Sequence, residues 1–159
     1  MQNKDRMGSM EGKQKRKLLV VCTGNTCRSP MAAAVLNRML DEQGLSDKYT
    51  AVSAGVAAFD GQPATPNAVE AAREEGLDLS GHKAQRITLE AIDEAERIFV
   101  MSEEHRRLLA NAHPDSEGKI SVMRVPDPYG ADLETYRLCL RQVRDFFERY
   151  FEEYPLCAE

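Results

Sequence analysis

No stretch of the 159 residues approaches the roughly 20 apolar residues that a membrane-spanning helix requires, and the N-terminus lacks the hydrophobic core of a secretory leader. Those two absences exclude a helical membrane anchor and place the expected setting in the cytoplasm. Positive charge is also in deficit. Twenty-one Lys and Arg face 26 Asp and Glu, a net charge of −5, which argues against nucleic acid as a partner because binding to a phosphate backbone needs a basic surface. Histidine is limited to His82, His105 and His113, and the four cysteines, Cys22, Cys27, Cys139 and Cys157, form no pair of Cys-x2-Cys knuckles. Nothing has the spacing of zinc ligands, so no metal is expected. In a reducing compartment a reactive thiol is the better reading of Cys22 than a structural disulfide. Internal repeats and low-complexity tracts are absent as well.

What is present is ordinary for one soluble domain: 42% hydrophobic and 30% charged residues in 17.8 kDa, enough chain to bury its own core. Residues 1–16 are polar and aperiodic and read as a disordered tail, with Met7-Gly8-Ser9-Met10 as a cloning remnant before a second start. Residues 17–159 read as a single domain. The basic cluster of Lys13, Lys15, Arg16 and Lys17 reads as a solvated flank to the first strand.

The rest of the chain is organised around residues 17–40. Lys-Leu-Leu-Val-Val is followed by Cys22-Thr23-Gly24-Asn25-Thr26-Cys27-Arg28-Ser29-Pro30 and then by a run rich in Ala and Leu, the pattern of buried strand, tight loop and helix. Ser29 is a strong N-cap and Pro30 suits the first helical position, so the helix is expected to start there. The loop amides then converge over a helix N-terminus, which is a cradle for an anion. Cys22 and Arg28 both face that point. A thiol beside a helix N-terminus and a guanidinium has its thiolate stabilised, and Arg holds two phosphate oxygens in a planar fork.

Further strands are expected at residues 49–53, 97–101 and 119–123. Helices are expected from Ala68 to Glu75 with Gly76 as C-cap, after Thr88, after Ser102, and from Leu133 to Tyr150 with Tyr136, Leu140, Val143, Phe147 and Tyr150 on one face. Strands alternating with helices imply a parallel sheet covered on both faces, with ligands at the carboxyl ends of the strands. Cys22 sits at such an end. Asp127 does too, although Asp-Pro is also a common turn opener.

The run from Val21 to Ala32, together with Asp127-Pro128-Tyr129 downstream, resembles the low-molecular-weight protein tyrosine phosphatase family, over residues 17–150. Ser53-Ala54-Gly55, the 61–82 region and the strand ending at Val100-Met101 look like further landmarks of that family. Within it the chain most resembles the bacterial protein-arginine phosphatases, because Thr23 and Thr26 stand where tyrosine-directed relatives carry bulky aliphatic residues. The resemblance implies a three-layer α/β/α sandwich with a central four-stranded parallel sheet and the phosphatase loop after the first strand. It implies phosphorylated proteins as substrates and no cofactor; the oligomeric state is left open, a monomer being the simplest case.

By the same resemblance Cys22 is the nucleophile, Arg28 the phosphate ligand and Asp127 the acid and base. Thr23, Gly24, Asn25, Thr26, Cys27 and Ser29 complete the phosphate-binding loop. Thr26 and Tyr129 are specificity positions, and Gly130 follows where relatives often have a second aromatic. Asn25, expected to be partly left-handed, Ser29 and His82 resemble a loop-bracing network; His82 also fits an exposed loop histidine. Cys27 is either a reversible disulfide partner for Cys22 or a small apolar plug. Hydrolysis of phosphoarginine is the leading expectation and phosphotyrosine hydrolysis the alternative. An arsenate reductase would need relay cysteines, for which Cys139 and Cys157 are poorly placed, and a non-catalytic phosphate-binding module is the remaining option.

Overall fold

Residues 18–21 carry no polar alternation, the mark of a strand covered on both faces. In the computed structural model, which describes residues 14–157, these four side chains are buried within strand β1 (Arg16–Cys22). β1 pairs in parallel with β2 (Tyr49–Gly55) and with β3 (Ala95–Val100), and β3 pairs in parallel with β4 (Ile120–Val122). The order β2-β1-β3-β4 puts β1 in the interior of the sheet.

Successive side chains of a strand point to opposite faces, so one apolar run feeds two cores. Leu18, Val20 and Phe99 pack against α1 (Arg28–Glu42), α2 (Pro66–Glu74) and α5 (Leu133–Glu153). Leu19, Val21, Ile98 and Val100 pack against Ile92 of α3 (Leu89–Glu94) and Leu109 of α4 (Glu103–Ala112). The result is the three-layer α/β/α sandwich. The stripe expected on α5 is the face it buries: Tyr136, Leu140, Val143 and Phe147 are buried, and Tyr150 is partly so. Phe99 meets Phe147 and Tyr150 edge-on, with ring centroids 5.2 and 5.0 Å apart.

Thr88 caps α3 by accepting the Ala91 N–H at 3.0 Å, and Ser102 caps α4 by accepting the His105 N–H at 3.3 Å. Gly76, at φ +81°, ends α2. Some boundaries differ from the sequence reading. α2 begins at Pro66 rather than Ala68, because Thr65-Pro66 supplies the favoured proline start. α5 extends to Glu153, and a 3-10 turn, Pro114–Lys119, precedes β4. Residues 1–13 of the expected tail lie outside the described residues. Gln14 and Lys15 have no regular structure, whereas Arg16 belongs to the domain: it opens β1 opposite Tyr49 and donates to the Tyr49 hydroxyl at 2.9 Å.

The end of the chain folds back to the same edge. The Arg97 guanidinium donates to the carbonyls of Tyr154 and Pro155, and the Tyr49 hydroxyl donates to the Cys157 carbonyl at 3.1 Å. Cys157 therefore lies at the amino end of the sheet, a strand's length of roughly 20 Å from Cys22. Among the described residues no helix is long and apolar enough to cross a membrane.

Candidate active site

At the opposite edge the carboxyl ends of three strands coincide, with Cys22 in register with Gly55 and Val21 with Val100. Residues 22–28 cross that edge to the start of α1. The loop closes tightly because Asn25 adopts φ +58°, a left-handed conformation that Asn tolerates better than most residues. Its amide then points back at the nucleophile candidate, donating to Cys22 Sγ at 3.3 Å.

The side chain of Asn25, fully buried, makes three of its four possible hydrogen bonds. Nδ2 donates to Ser29 Oγ at 2.7 Å and to Ser53 Oγ at 3.0 Å, while Oδ1 accepts the Gln85 N–H at 2.9 Å. The Asn25 carbonyl accepts from His82 Nε2 at 2.7 Å, which requires that nitrogen to carry the proton. Gly55 is needed beneath the loop. A Cβ there would stand 2.5 Å from the Thr23 carbonyl oxygen and 2.9 Å from the Asn25 nitrogen, closer than backbone atoms allow.

As an N-cap, Ser29 departs from the sequence reading. α1 begins at Arg28 with Cys27 in the cap position and no side-chain cap, and Ser29 is buried within the first turn. Its hydroxyl lies 3.0 Å from Cys22 Sγ and accepts from Asn25, so sulfur and amide take it in place of the helix amides. Cys22 is itself only 2% exposed.

Arg28 is anchored away from the loop: one guanidinium nitrogen donates to the Val125 carbonyl at 3.0 Å and another lies 3.8 Å from Asp127 Oδ2. Asp127 opens a turn by accepting the Tyr129 N–H at 3.0 Å, yet its side chain stays 54% exposed beside the guanidinium. The turn and a place at the site are compatible. Cys22, Thr23, Thr26, Arg28 and Asp127 line one cavity of about 300 Å³, with Gly24 and Cys27 also contributing. Tyr129 and Phe59, 71% and 75% exposed, also line it.

Cys27 sits behind the loop, its sulfur 3.4 Å from both Thr65 Oγ1 and the Tyr136 hydroxyl. It is a free thiol in this structure, as is Cys22. Burial, with the hydrogen bond to Cys27, pushes the Tyr136 hydroxyl up to about 12. Burial likewise pushes the Cys139 thiol up to about 12, which keeps it protonated and unreactive.

Sequence reasoning marked Ser53 without its role and missed Gln85, Phe59 and the placement of His105. Ser53 and Gln85 grip Asn25 from 28 and 60 residues away. Phe59 is a solitary aromatic in a loop sequence. His105, 5% exposed, places Nε2 2.9 Å from Thr23 Oγ1 and Nδ1 3.1 Å from Ser102 Oγ. Burial, and then the Arg28 charge, hold its imidazole below the ordinary histidine range. Among the described residues no group of three or more His, Cys, Asp or Glu is placed to hold a metal ion.

The profile of the low molecular weight phosphotyrosine protein phosphatases matches residues 17–155. The chain belongs to this family. It is 35% identical over 135 residues to a probable low molecular weight protein-tyrosine-phosphatase of Ralstonia solanacearum, covering 81% of this chain and 89% of the relative. It is 32% identical over 147 residues to a protein-arginine-phosphatase of Geobacillus stearothermophilus, covering 86% and 95%. The crystal structure of a low molecular weight protein tyrosine phosphatase from T. tengcongensis superposes with a TM-score of 0.81 at 34% identity, over 87% of this chain and 99% of that one. The protein is thus a cysteine-based phosphatase whose relatives divide between two kinds of phosphorylated residue.

Proposed function

We propose that this member of the family removes phosphate from arginine side chains of proteins in the cytoplasm, by way of a phosphocysteine intermediate. Cys22 Sγ attacks phosphorus in line as the P–N bond breaks, and Asp127 delivers its proton to the departing guanidine nitrogen. The loop amides and Arg28 hold the equatorial oxygens, whose charge they meet most strongly in the transition state. Water then attacks phosphorus, the P–S bond breaks, and the Asp127 carboxylate takes the water's proton.

The observation that carries the choice of arginine is the composition of the cavity wall. Thr26 lines it beside Cys22, a branched but polar residue that narrows the space for a ring and suits a thin, charged phosphoguanidinium. Gly130, at φ +80° with open space around it, adds no second aromatic after Tyr129. One feature favours phosphotyrosine instead: two aromatic rings, Phe59 and Tyr129, also line the cavity.

The deciding experiment compares kcat/KM on an arginine-phosphorylated protein with that on a phosphotyrosine peptide. Phosphoarginine is expected to be the better substrate, and Thr26→Ile to shift the ratio toward aryl phosphate by about tenfold or more. A wild-type preference for phosphotyrosine, left unmoved by Thr26→Ile, overturns the proposal.

A further inference from the structure

The second loop threonine is tied to a residue outside the loop. Thr23 follows the nucleophile directly and lines the cavity, and its hydroxyl lies 2.9 Å from His105 Nε2. His105 is itself immobilised. Its other ring nitrogen lies 3.1 Å from Ser102 Oγ, the same oxygen that accepts the His105 backbone N–H to cap α4. A buried imidazole held at both nitrogens is a fixed point, whereas a threonine side chain left alone samples more than one rotamer. The β3–α4 junction thus sets the direction of a hydroxyl in the wall of a cavity that follows β1.

We propose that His105 is a positioning residue for leaving-group selection: as the Nδ1–H tautomer, donating to Ser102 Oγ, it accepts the Thr23 O–H at Nε2 and so leaves the Thr23 oxygen to accept a hydrogen bond from an N–H of the leaving group. The inference rests on the reading of the substrate as a phosphoramidate. A guanidine leaving group brings N–H donors to the wall and an aryl ester oxygen brings none. A wall oriented to pair with a donor discriminates against a substrate that leaves the oxygen unpaired. A freely rotating Thr23 would lose that discrimination.

The readout is the ratio of kcat/KM for phosphoarginine to that for p-nitrophenyl phosphate. Thr23→Val and His105→Leu are each expected to lower this ratio about tenfold, the worth of one hydrogen bond to a charged donor. The double variant is expected to fall no further than either single one, since both remove the same interaction. His105→Gln, whose amide reaches the position of Nε2, is expected to keep the wild-type ratio.

A ratio unchanged in Thr23→Val, additive losses in the double variant, or a His105→Gln value as low as that of His105→Leu would each overturn the proposal. Thr23 is an exposed loop residue, so its variant reports even where a change at the buried histidine impairs folding. The ratio can be read whichever substrate the wild type prefers. The arginine assignment is decided by the comparison with a phosphotyrosine peptide, while the movement or constancy of this ratio across these variants decides the role of His105. Complete absence of phosphoramidate turnover in the wild type overturns both.

Discussion

Asn25 donates through Nδ2 to Ser29 Oγ at 2.7 Å, and that bond decides what Ser29 offers the nucleophile. A hydroxyl that accepts from Asn25 has its own proton left to give, and Cys22 Sγ lies 3.0 Å away. A Cys22 thiolate has no proton of its own and can only accept, so it draws the Ser29 proton from the more distant Ala54 carbonyl at 3.5 Å and is stabilised by it. Ser29→Ala is expected to lower kcat by about tenfold to a hundredfold, the worth of one hydrogen bond to a charged group, with the fold retained. Steady-state kinetics beside a circular dichroism spectrum checks this, and an unchanged kcat contradicts it.

Gly55→Ala would drive a Cβ into the Thr23 carbonyl and the Asn25 amide. Both are backbone atoms, so the loop itself must move. Denaturant unfolding is expected to show a loss of about 1–3 kcal/mol, the usual cost of overpacking, together with weaker inhibition by inorganic phosphate. Wild-type stability with wild-type phosphate affinity would mean the strand does not support the loop in this way.

Asp127→Asn removes the proposed proton donor while leaving the turn an amide oxygen to accept the Tyr129 N–H. The loss in kcat is expected to be about a hundredfold to ten-thousandfold on substrates whose leaving group must be protonated. It is expected to be much smaller with p-nitrophenyl phosphate, whose phenolate departs unaided. Equal losses on both substrates would remove Asp127 from the acid role.

His105 gives stability a pH dependence of defined sign. Burial, and then the Arg28 charge, depress its folded-state pKa, with Glu104 and Asp127 opposing, so below the ordinary value of 6.5 the unfolded chain binds the proton that the folded chain refuses. The stability contributed by the neutral ring is complete above that value and is lost as pH falls through the folded-state value. Denaturant midpoints followed from pH 8 to pH 5 are expected to drop more steeply for the wild type than for His105→Gln. Parallel curves would show that His105 does not resist protonation.

What the sequence discloses and what it conceals differ by the distance over which the relevant residues act. Strand, loop and helix across residues 16–42 are legible because one contiguous apolar run and one helical run flank the loop, and the left-handed Asn25 follows from local sterics. The start of α1 is not, because the preference of Ser29 for an N-cap yields to two buried partners, Cys22 and Asn25. Ser53-Ala54-Gly55 is recognisable as a landmark, but the reason for it, a backbone approach that excludes any Cβ, appears only when β2 is paired with β1. His105 is concealed most fully. It lies 82 positions from Thr23, on a helix expected from its start after Ser102 alone, and no local pattern signals that its ring crosses to the loop.

In the proposed mechanism Cys22 carries the phosphoryl group between two displacements. Rapid quenching of Asp127→Ala during turnover of a radiolabelled phosphoprotein, followed by peptide mapping, measures this directly. Label is expected on the peptide containing Cys22, chased into inorganic phosphate over time and absent in Cys22→Ala, which also loses hydrolysis. Phosphate release that persists in Cys22→Ala, or turnover without label on that peptide, would contradict it.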